Sequence, residues 1–325
     1  MKAWQFSNYG PYSKVLTWSD RDLPSLKKGQ ALIETNAVSL NFPDLLVCQG
    51  LYQEKAPLPA VPGMEGVGIV KDVGTNSRFS VGDRVVGFCH GGGTLSEFFV
   101  VDANSAWKVP DHVTDIQAAS LSVTYGTSYF GLFHRGNLKP KETLLVLGGA
   151  GGVGSAAIQL GKYAGSMVIA AVGSDEKLDI CRVQGADRTI NYNKTDLVEA
   201  VLQYTEGKGA DVIYDPAGGV LFEKTKRCAA WDSRLIVIGF TGGSIPKMET
   251  NRVLLKNMSL IGLAWGQYIK RRPKLVAECQ ETLYQLLKQG TINPVVFKNL
   301  PFSQAVEGLQ LIESRQVFGK VVLSR

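Results

Sequence analysis

The run LVLGGAGGVGSAAIQLGK, residues 145–162, carries Gly149-x-Gly151-x-x-Gly154 between an apolar stretch and a helical pattern. In that setting each glycine has its own task. The first permits a tight turn, the second lets backbone approach a pyrophosphate, and the third lets helix and strand pack closely. The helix that follows would offer the phosphates its positive end and the free N–H groups of Gly152, Val153 and Gly154. The chemistry this implies is the binding of a dinucleotide.

The choice of dinucleotide rests on the next strand. An NAD site calls for an acid at its end, about 20 residues on from the glycines, to hold the ribose 2′-hydroxyl. Here the strand MVIAAV (167–172) ends in Gly173-Ser174, followed by Asp175 and Glu176. Ser174 reads as a helix N-cap, which puts both acids in the first turn, where the helix dipole favours them. Lys177 is then placed to meet a 2′-phosphate together with the Ser174 hydroxyl, and Tyr192 adds a hydroxyl or a stacking face. This favours NADPH; the competing reading makes Asp175 the ribose acceptor and Lys177 a surface charge.

A second stretch, PGMEGVGIV (62–70), sets Met64 and Glu65 among three glycines at the start of an apolar strand. Glu65 either accepts hydrogen bonds from tight-turn N–H groups or pairs with an Arg or Lys, or, on a sharper reading, orders the floor of a cleft. A metal site would want His, Cys or more carboxylates nearby. Cys89 and His90 are adjacent and on a strand would point to opposite faces. His112 and His134 lie in unrelated segments. All three histidines read as structural or surface residues, and no metal is expected.

The elements that must position these residues come in two rhythms. Over the first 110 residues short β-rich runs alternate with Gly and Pro: KVLTW (14–18), QALIETNAVSL (30–40), GVGIVKDVG (66–74), DRVVGF (83–88) and SEFFVVD (96–102). They suggest a compact β-barrel or sandwich. From about residue 143 the pattern becomes strand–helix–strand, through LLVL, MVIAAV, RTINY, DVIYD, RLIVIGF and SLIGLAW, which predicts an α/β unit with a doubly wound parallel sheet. After residue 265 a long amphipathic helix, VVFKNLPF, the helix SQAVEGLQLIE and a strand GKVVLS are expected to return to the N-terminal domain. The division predicted is residues 1–122 with 266–325, and residues 123–265. SLIGLAW, apolar on both faces and last in its sheet, predicts a homodimer joined through residues 258–265.

Composition narrows the class. The net charge of +6 is spread without a run of five basic residues, so nucleic acid is not expected as the main partner. No stretch of 18 apolar residues suggests a membrane span. The N-terminus lacks the core of a signal peptide, and five scattered cysteines suit reduced thiols, which together predict a cytoplasmic protein. A G-x-S-x-G hydrolase elbow is absent.

These motifs together resemble the zinc-independent quinone oxidoreductases, a zeta-crystallin-like group of the medium-chain dehydrogenase/reductase superfamily. The resemblance runs end to end through NFPDLLVCQGLYQ (41–53), PGMEGVG (62–68), VGDRVVGF (81–88), VTYGTSYFGL (123–132), the glycine loop, YDPAGG (214–219) and FGKVVL (318–323). It implies a GroES-like catalytic domain, a Rossmann domain and a cofactor cleft between them. Zinc-dependent relatives carry a metal-binding His at the position of Met64 and a Cys at that of Asn41, and neither replacement suits a borderline-soft dication. The resemblance also implies that Asn41, Asp44, Tyr52 and Thr127 line the cleft. Asn41 would offer amide donors, Tyr52 a phenolic proton and Thr127 a bond to the nicotinamide or its ribose; Asp44 and Tyr52 have plain turn or packing roles as alternatives. Gly239, Phe240, Val317, Phe318, Gly319 and Lys320 match cofactor-contacting positions, and Trp265 and Phe240 would wall the ring or belong to the core. The implied activity is metal-free reduction of quinones by NADPH. Reduction of enone C=C bonds, or NADPH binding by a sensor or structural protein with little turnover, are the other readings.

Overall fold

A computed structural model describes all 325 residues. Fifteen strands follow in chain order: β1 Lys2–Gln5, β2 Thr17–Asp20, β3 Gln30–Leu40, β4 Glu65–Val73, β5 Arg84–Phe88, β6 Phe98–Asp102, β7 Ala106–Lys108, β8 Thr143–Leu147, β9 Met167–Val172, β10 Arg188–Asn191, β11 Ala210–Asp215, β12 Ala229–Val237, β13 Ser259–Gly262, β14 Val296–Pro301 and β15 Lys320–Ser324. The chain divides into two compact units. One holds Met1–Val123, Gly266–Lys288 and Asn293–Arg325; the other holds Thr124–Trp265 and Gln289–Ile292.

In the first unit a seven-stranded sheet runs β14-β15-β3-β4-β5-β7, with β6 also paired to β3. β3 is its centre because eight of its eleven residues are buried and it meets β4, β6 and β15 antiparallel. Ile33, Val70, Val85, Phe99 and Val101 fill the core between these strands. The last strand, β15, lies between β14 and β3.

The second unit carries a six-stranded sheet in the order β10-β9-β8-β11-β12-β13, parallel throughout. Every residue of β8 is buried, as a strand covered on both faces requires. Helices Gly152–Tyr163, Glu176–Val183, Leu197–Tyr204 and Gly219–Cys228 link the strands. The third of these is started by Asp196, whose Oδ1 accepts the N–H groups of Val198 and Glu199 at 2.8 and 3.1 Å, a cap worth about 1 kcal/mol. The two sheets and their helices form the predicted α/β fold.

Three segments depart from the sequence reading. KVLTW is not one strand: Tyr12–Val15 forms a short helix after Pro11, and only Thr17–Asp20 is extended. SLIGLAW is extended over four residues, and Trp265 opens a helix to Arg271. Cys89 and His90 lie beyond the end of β5, so strand alternation does not govern them. No helix is long and apolar enough to cross a membrane.

Candidate functional site

The glycine loop of the second unit is built as a cradle. β8 ends at Leu147, and the sharp turn falls on Gly148, whose φ is +59°, one residue before the motif proper. Gly149 instead serves packing: a Cβ there would stand 2.9 Å from Ala170 Cβ and 3.2 Å from Cys181 Sγ. A Cβ on Gly154 would stand 2.2 Å from the Gly148 carbonyl oxygen, so the helix can approach the turn only with glycine at that position. Gly151 differs from both, because its Cβ would meet only that same oxygen, at 3.3 Å. Packing within the chain therefore makes little demand for glycine there. The helix Gly152–Tyr163 has Gly151 as its N-cap and no side-chain cap, so the amides of Gly152, Val153 and Gly154 have no partner from the capping side chain. Open backbone at a helix start fits a pyrophosphate.

Ser128 and Tyr214 tie the start of this helix to β11, and Asp215 shapes the loop that follows β11. Tyr214 Oη lies 2.9 Å from Ser128 Oγ, which lies 2.9 Å from the Val153 carbonyl oxygen. Asp215, at the end of β11, accepts the N–H groups of Ala217 and Gly218 on Oδ1 at 2.8 Å each and so shapes the loop after it. Burial raises its carboxyl pKa. The sequence motif YDPAGG marked this region without giving Asp215 that task.

At the end of β9 the arrangement differs from the expected cap. The helix begins at Glu176, with Asp175 rather than Ser174 at the N-cap position, and Asp175 makes no cap hydrogen bond. Its carboxylate turns to the next strand end instead: Asn191 Nδ2 donates to Oδ1 at 2.6 Å, and Lys194 pairs with Oδ2. These bonds to Lys194 and Asn191 hold the carboxyl below its ordinary range. Tyr192 stands beside Gly173, where an added Cβ would come within 2.8 Å of its hydroxyl. The structure thus gathers Gly173, Ser174, Asp175, Tyr192 and Lys194, and Lys177 follows in the first turn of the helix. Lys194, unremarked in the sequence, is visible only through its partner.

In the first unit the residues around Glu65 form a closed set. Glu65 is fully buried. Its Oε1 accepts from Asn41 Nδ2 at 3.1 Å and from Lys320 Nζ at 3.2 Å, and its Oε2 from the Val123 N–H at 2.9 Å. Lys320, 5% exposed, also donates to the Leu40 carbonyl at 3.0 Å and to Asn41 Oδ1 at 2.6 Å. An ammonium has three protons, so all of them are engaged. Asn41 Nδ2 donates to the Ser39 carbonyl as well, at 3.1 Å. Its amide is therefore saturated, and Asn41 orders the interior rather than offering donors to a ligand. Asp44 behaves likewise: it is buried, and its oxygens accept the N–H groups of Asn41 at 2.7 Å and Gly63 at 3.1 Å. It caps the helix Phe42–Gln49, the turn role rather than the cleft-lining one. Burial pushes its carboxyl up to about 7, against the lowering effect of those N–H groups and of Lys320.

The remaining positions separate. Tyr52 is partly buried, and burial, then Glu54 and Asp44, raise its hydroxyl pKa, so it keeps its proton. Thr127 is 9% exposed on the helix Asp115–Tyr129. Trp265 is buried against Gly126, whose Cβ would stand 2.7 Å from the indole. Phe240 is 38% exposed, next to Gly218, and Gly239 precedes it in the loop after β12. Gly319 has φ +60° and backs onto the Val295 carbonyl, with Phe318 ring-to-ring against Phe297 and Val317 just before. No group of three His, Cys, Asp or Glu side chains is arranged to hold a metal ion.

Two family models match the chain: zinc-binding dehydrogenase over residues 152–281 and alcohol dehydrogenase GroES-like domain over residues 27–111. A quinone oxidoreductase-like protein 2 homolog of Nematostella vectensis is 36% identical over 302 residues, 92% of this chain and 83% of that protein. The crystal structure of Escherichia coli quinone oxidoreductase complexed with NADPH superposes with a TM-score of 0.93 at 27% identity, covering 100% of both chains. A 2-haloacrylate reductase structure gives a TM-score of 0.87 at 26% identity, over 100% of this chain and 99% of that one.

Proposed function

The chain belongs to the medium-chain dehydrogenase/reductase superfamily, among its quinone oxidoreductase-like members, and from that premise we propose that it is a metal-independent NADPH:quinone reductase. The observation that carries this reading is the closed Glu65–Lys320–Asn41 set. Dehydrogenating an alcohol requires its hydroxyl proton to be withdrawn as the hydride leaves, by a bound cation or a free base. Here the buried carboxylate of Glu65 is paired with an ammonium, and the side chain at the zinc-cysteine position is an amide whose two protons are both engaged. A quinone makes a smaller demand. Its reduction restores an aromatic ring, so the protein needs to orient it and give a proton to the developing oxyanion.

Each remaining residue then has a role. Gly151 and the amides of Gly152, Val153 and Gly154 hold the pyrophosphate. Ser174, Lys177 and Tyr192 receive the 2′-phosphate, and Lys194 keeps Asp175 from serving as a ribose acceptor. The nicotinamide, when bound, supplies the hydride. Tyr52 keeps its proton at neutral pH and donates it to the reduced acceptor, and Thr127 orients the ring. Likeness to the 2-haloacrylate reductase favours a second reading, reduction of C=C bonds conjugated to a carbonyl.

The test is consumption of reduced nicotinamide with a panel of quinones and enones, run with NADPH and NADH and with a strong chelator. Quinone-dependent NADPH oxidation that survives chelation supports the proposal. Turnover with enones alone selects the second reading, and NADPH binding without turnover points to the sensor or structural role.

For assembly, β13 is an open sheet edge beside apolar side chains. Leu260 on the strand is 46% exposed, and Leu254 and Leu255 on the preceding helix are 78% and 75% exposed. A second copy pairing along residues 258–265 would cover them. A monomeric mass at micromolar concentration contradicts this.

A further inference from the structure

A cavity of about 340 Å³ opens in the first unit, apart from the Glu65 set, between loop 54–61, the turn Gly91–Gly93 and β6. It exists because the turn contributes no side chains. Its three glycines have φ of +82°, +109° and +129°, and a Cβ on Gly92 would stand 2.3 Å from the Val61 carbonyl oxygen. The walls are apolar, with Val61, Phe98, Phe99 and the prolines of loop 54–61.

Its polar side chains are Arg21, Glu54, Lys55, His90 and Ser96, the last with its hydroxyl bonded to the Gly93 and Phe98 carbonyls at 2.7 Å. His90 lines the cavity, and its Nε2 is shielded from solvent without a hydrogen-bond partner. The ring is fixed edge-on to Phe88 at 4.8 Å. Burial, then Lys270, lowers its pKa, so it is a neutral imidazole that can present one N–H. Arg21 contacts only neutral acceptors, Gln5 Oε1 at 3.4 Å and the Pro59 carbonyl at 3.2 Å. Lys55 lies 6.0 Å over the ring of Tyr9. The single acid of the wall, Glu54, is already paired with Lys270 at 2.8 Å and bonded to Gln267 at 3.1 Å. The cavity therefore holds two cations uncompensated by any carboxylate of its wall, one unmatched ring nitrogen and an apolar lining.

We propose that this cavity binds a small organic carboxylate with a flat apolar body, its carboxylate held by Arg21 and the His90 N–H, with Lys55 at the rim and its body against Phe98 and Val61. A carboxylate can accept from a guanidinium and an imidazole at once, and the apolar wall rewards a ring on the other side. Volume limits the ligand to about one or two fused rings. Nothing in the reductase reading depends on this pocket.

The probe is 2-naphthoate, titrated calorimetrically into the full chain already saturated with NADPH, with 2-naphthylmethanol as the uncharged control. One site per chain with sub-millimolar affinity, and at least about tenfold weaker binding of the alcohol, is expected. Lys55→Gln should weaken naphthoate severalfold, and Arg21→Gln and His90→Phe by about tenfold or more each. In the ring ¹⁵N spectrum the His90 Nε2 signal should move on saturation. Should Arg21→Gln unfold the chain, the Lys55 and His90 variants still decide. Absence of saturable binding, equal binding of the alcohol, or affinity indifferent to both variants overturns the proposal. Because the readout needs no turnover, any of these results leaves quinone reduction to be judged on its own assay.

Discussion

Lys320 Nζ lies 3.2 Å from Glu65 Oε1, with the two side chains 5% and 0% exposed, so a full ion pair is sealed inside the first unit. Desolvating two charges offsets much of their attraction, yet removing one partner strands the other. Lys320→Met should therefore lower unfolding free energy by about 3–5 kcal/mol. The double variant Lys320→Met/Glu65→Gln, which leaves no charge, should recover a large part of that loss. Urea denaturation measures both, and a single variant within about 1 kcal/mol of the parent would contradict the assignment.

Asp44 gives the first unit a pH dependence of definite sign. Burial raises its carboxyl from 3.8 to about 7, so between those values the folded chain keeps a proton that the unfolded chain releases. Its contribution is complete below the lower value and is lost as pH rises through the upper one. Asp44→Asn should flatten the decline in stability from about pH 4 to about pH 7, read from denaturation midpoints. A decline of unchanged slope would remove Asp44 as its source.

Gly151 and Gly154 separate binding from folding. Gly151→Ala meets only one oxygen at 3.3 Å, which a small shift relieves, so the melting temperature should hold while NADPH affinity falls about tenfold or more. Gly154→Ala drives a methyl to 2.2 Å from the Gly148 oxygen and should cost about 1–3 kcal/mol or more of stability. If Gly151→Ala binds NADPH like the parent, the cradle lies elsewhere.

Coenzyme choice should follow the lysines at the ends of β9 and β10. Lys177→Ala removes one charge-assisted phosphate contact, about 1.5–3 kcal/mol, from NADPH and little from NADH. Lys194→Ala frees Asp175 from its ion pair, so the ratio of NADPH to NADH affinity should fall further toward NADH. Equal losses for both coenzymes in fluorescence titration would deny the phosphate role.

Tyr52→Phe deletes the hydroxyl whose pKa burial has raised. Turnover with a quinone should drop by about 10²-fold while NADPH affinity stays nearly constant. Unchanged turnover would leave Tyr52 as a packed aromatic.

What the sequence disclosed was local. β3 appears in it at its true bounds because Gln30–Leu40 is a β-rich run of which eight residues are buried, and β8 because a strand covered on both faces is a continuous apolar run. The glycine motif gave the cradle, but its positive φ sits on Gly148, which the pattern does not weigh. Tyr12–Val15 looked extended because the contact that holds it is remote: the Tyr12 hydroxyl bonds Glu313, 301 residues away. Lys320 shows the same limit. Read beside Phe318 and Gly319 it looked like a cofactor contact, whereas its partner Glu65 lies 255 residues earlier. Asp175 reversed for a related reason, since Lys194 and Asn191 reach it from the neighbouring strand.

The placement of β15 between β3 and β14 also orders events on the ribosome. Residues 124–265 encode the parallel sheet in one uninterrupted run, so that unit can close while synthesis continues. The N-terminal sheet, though translated first, lacks the partner of the Ala37–Leu40 end of β3, and the Glu65 carboxylate lacks its counter-charge, until Lys320 emerges. Nascent chains stopped short of that residue are therefore the ones to need a chaperone's cover.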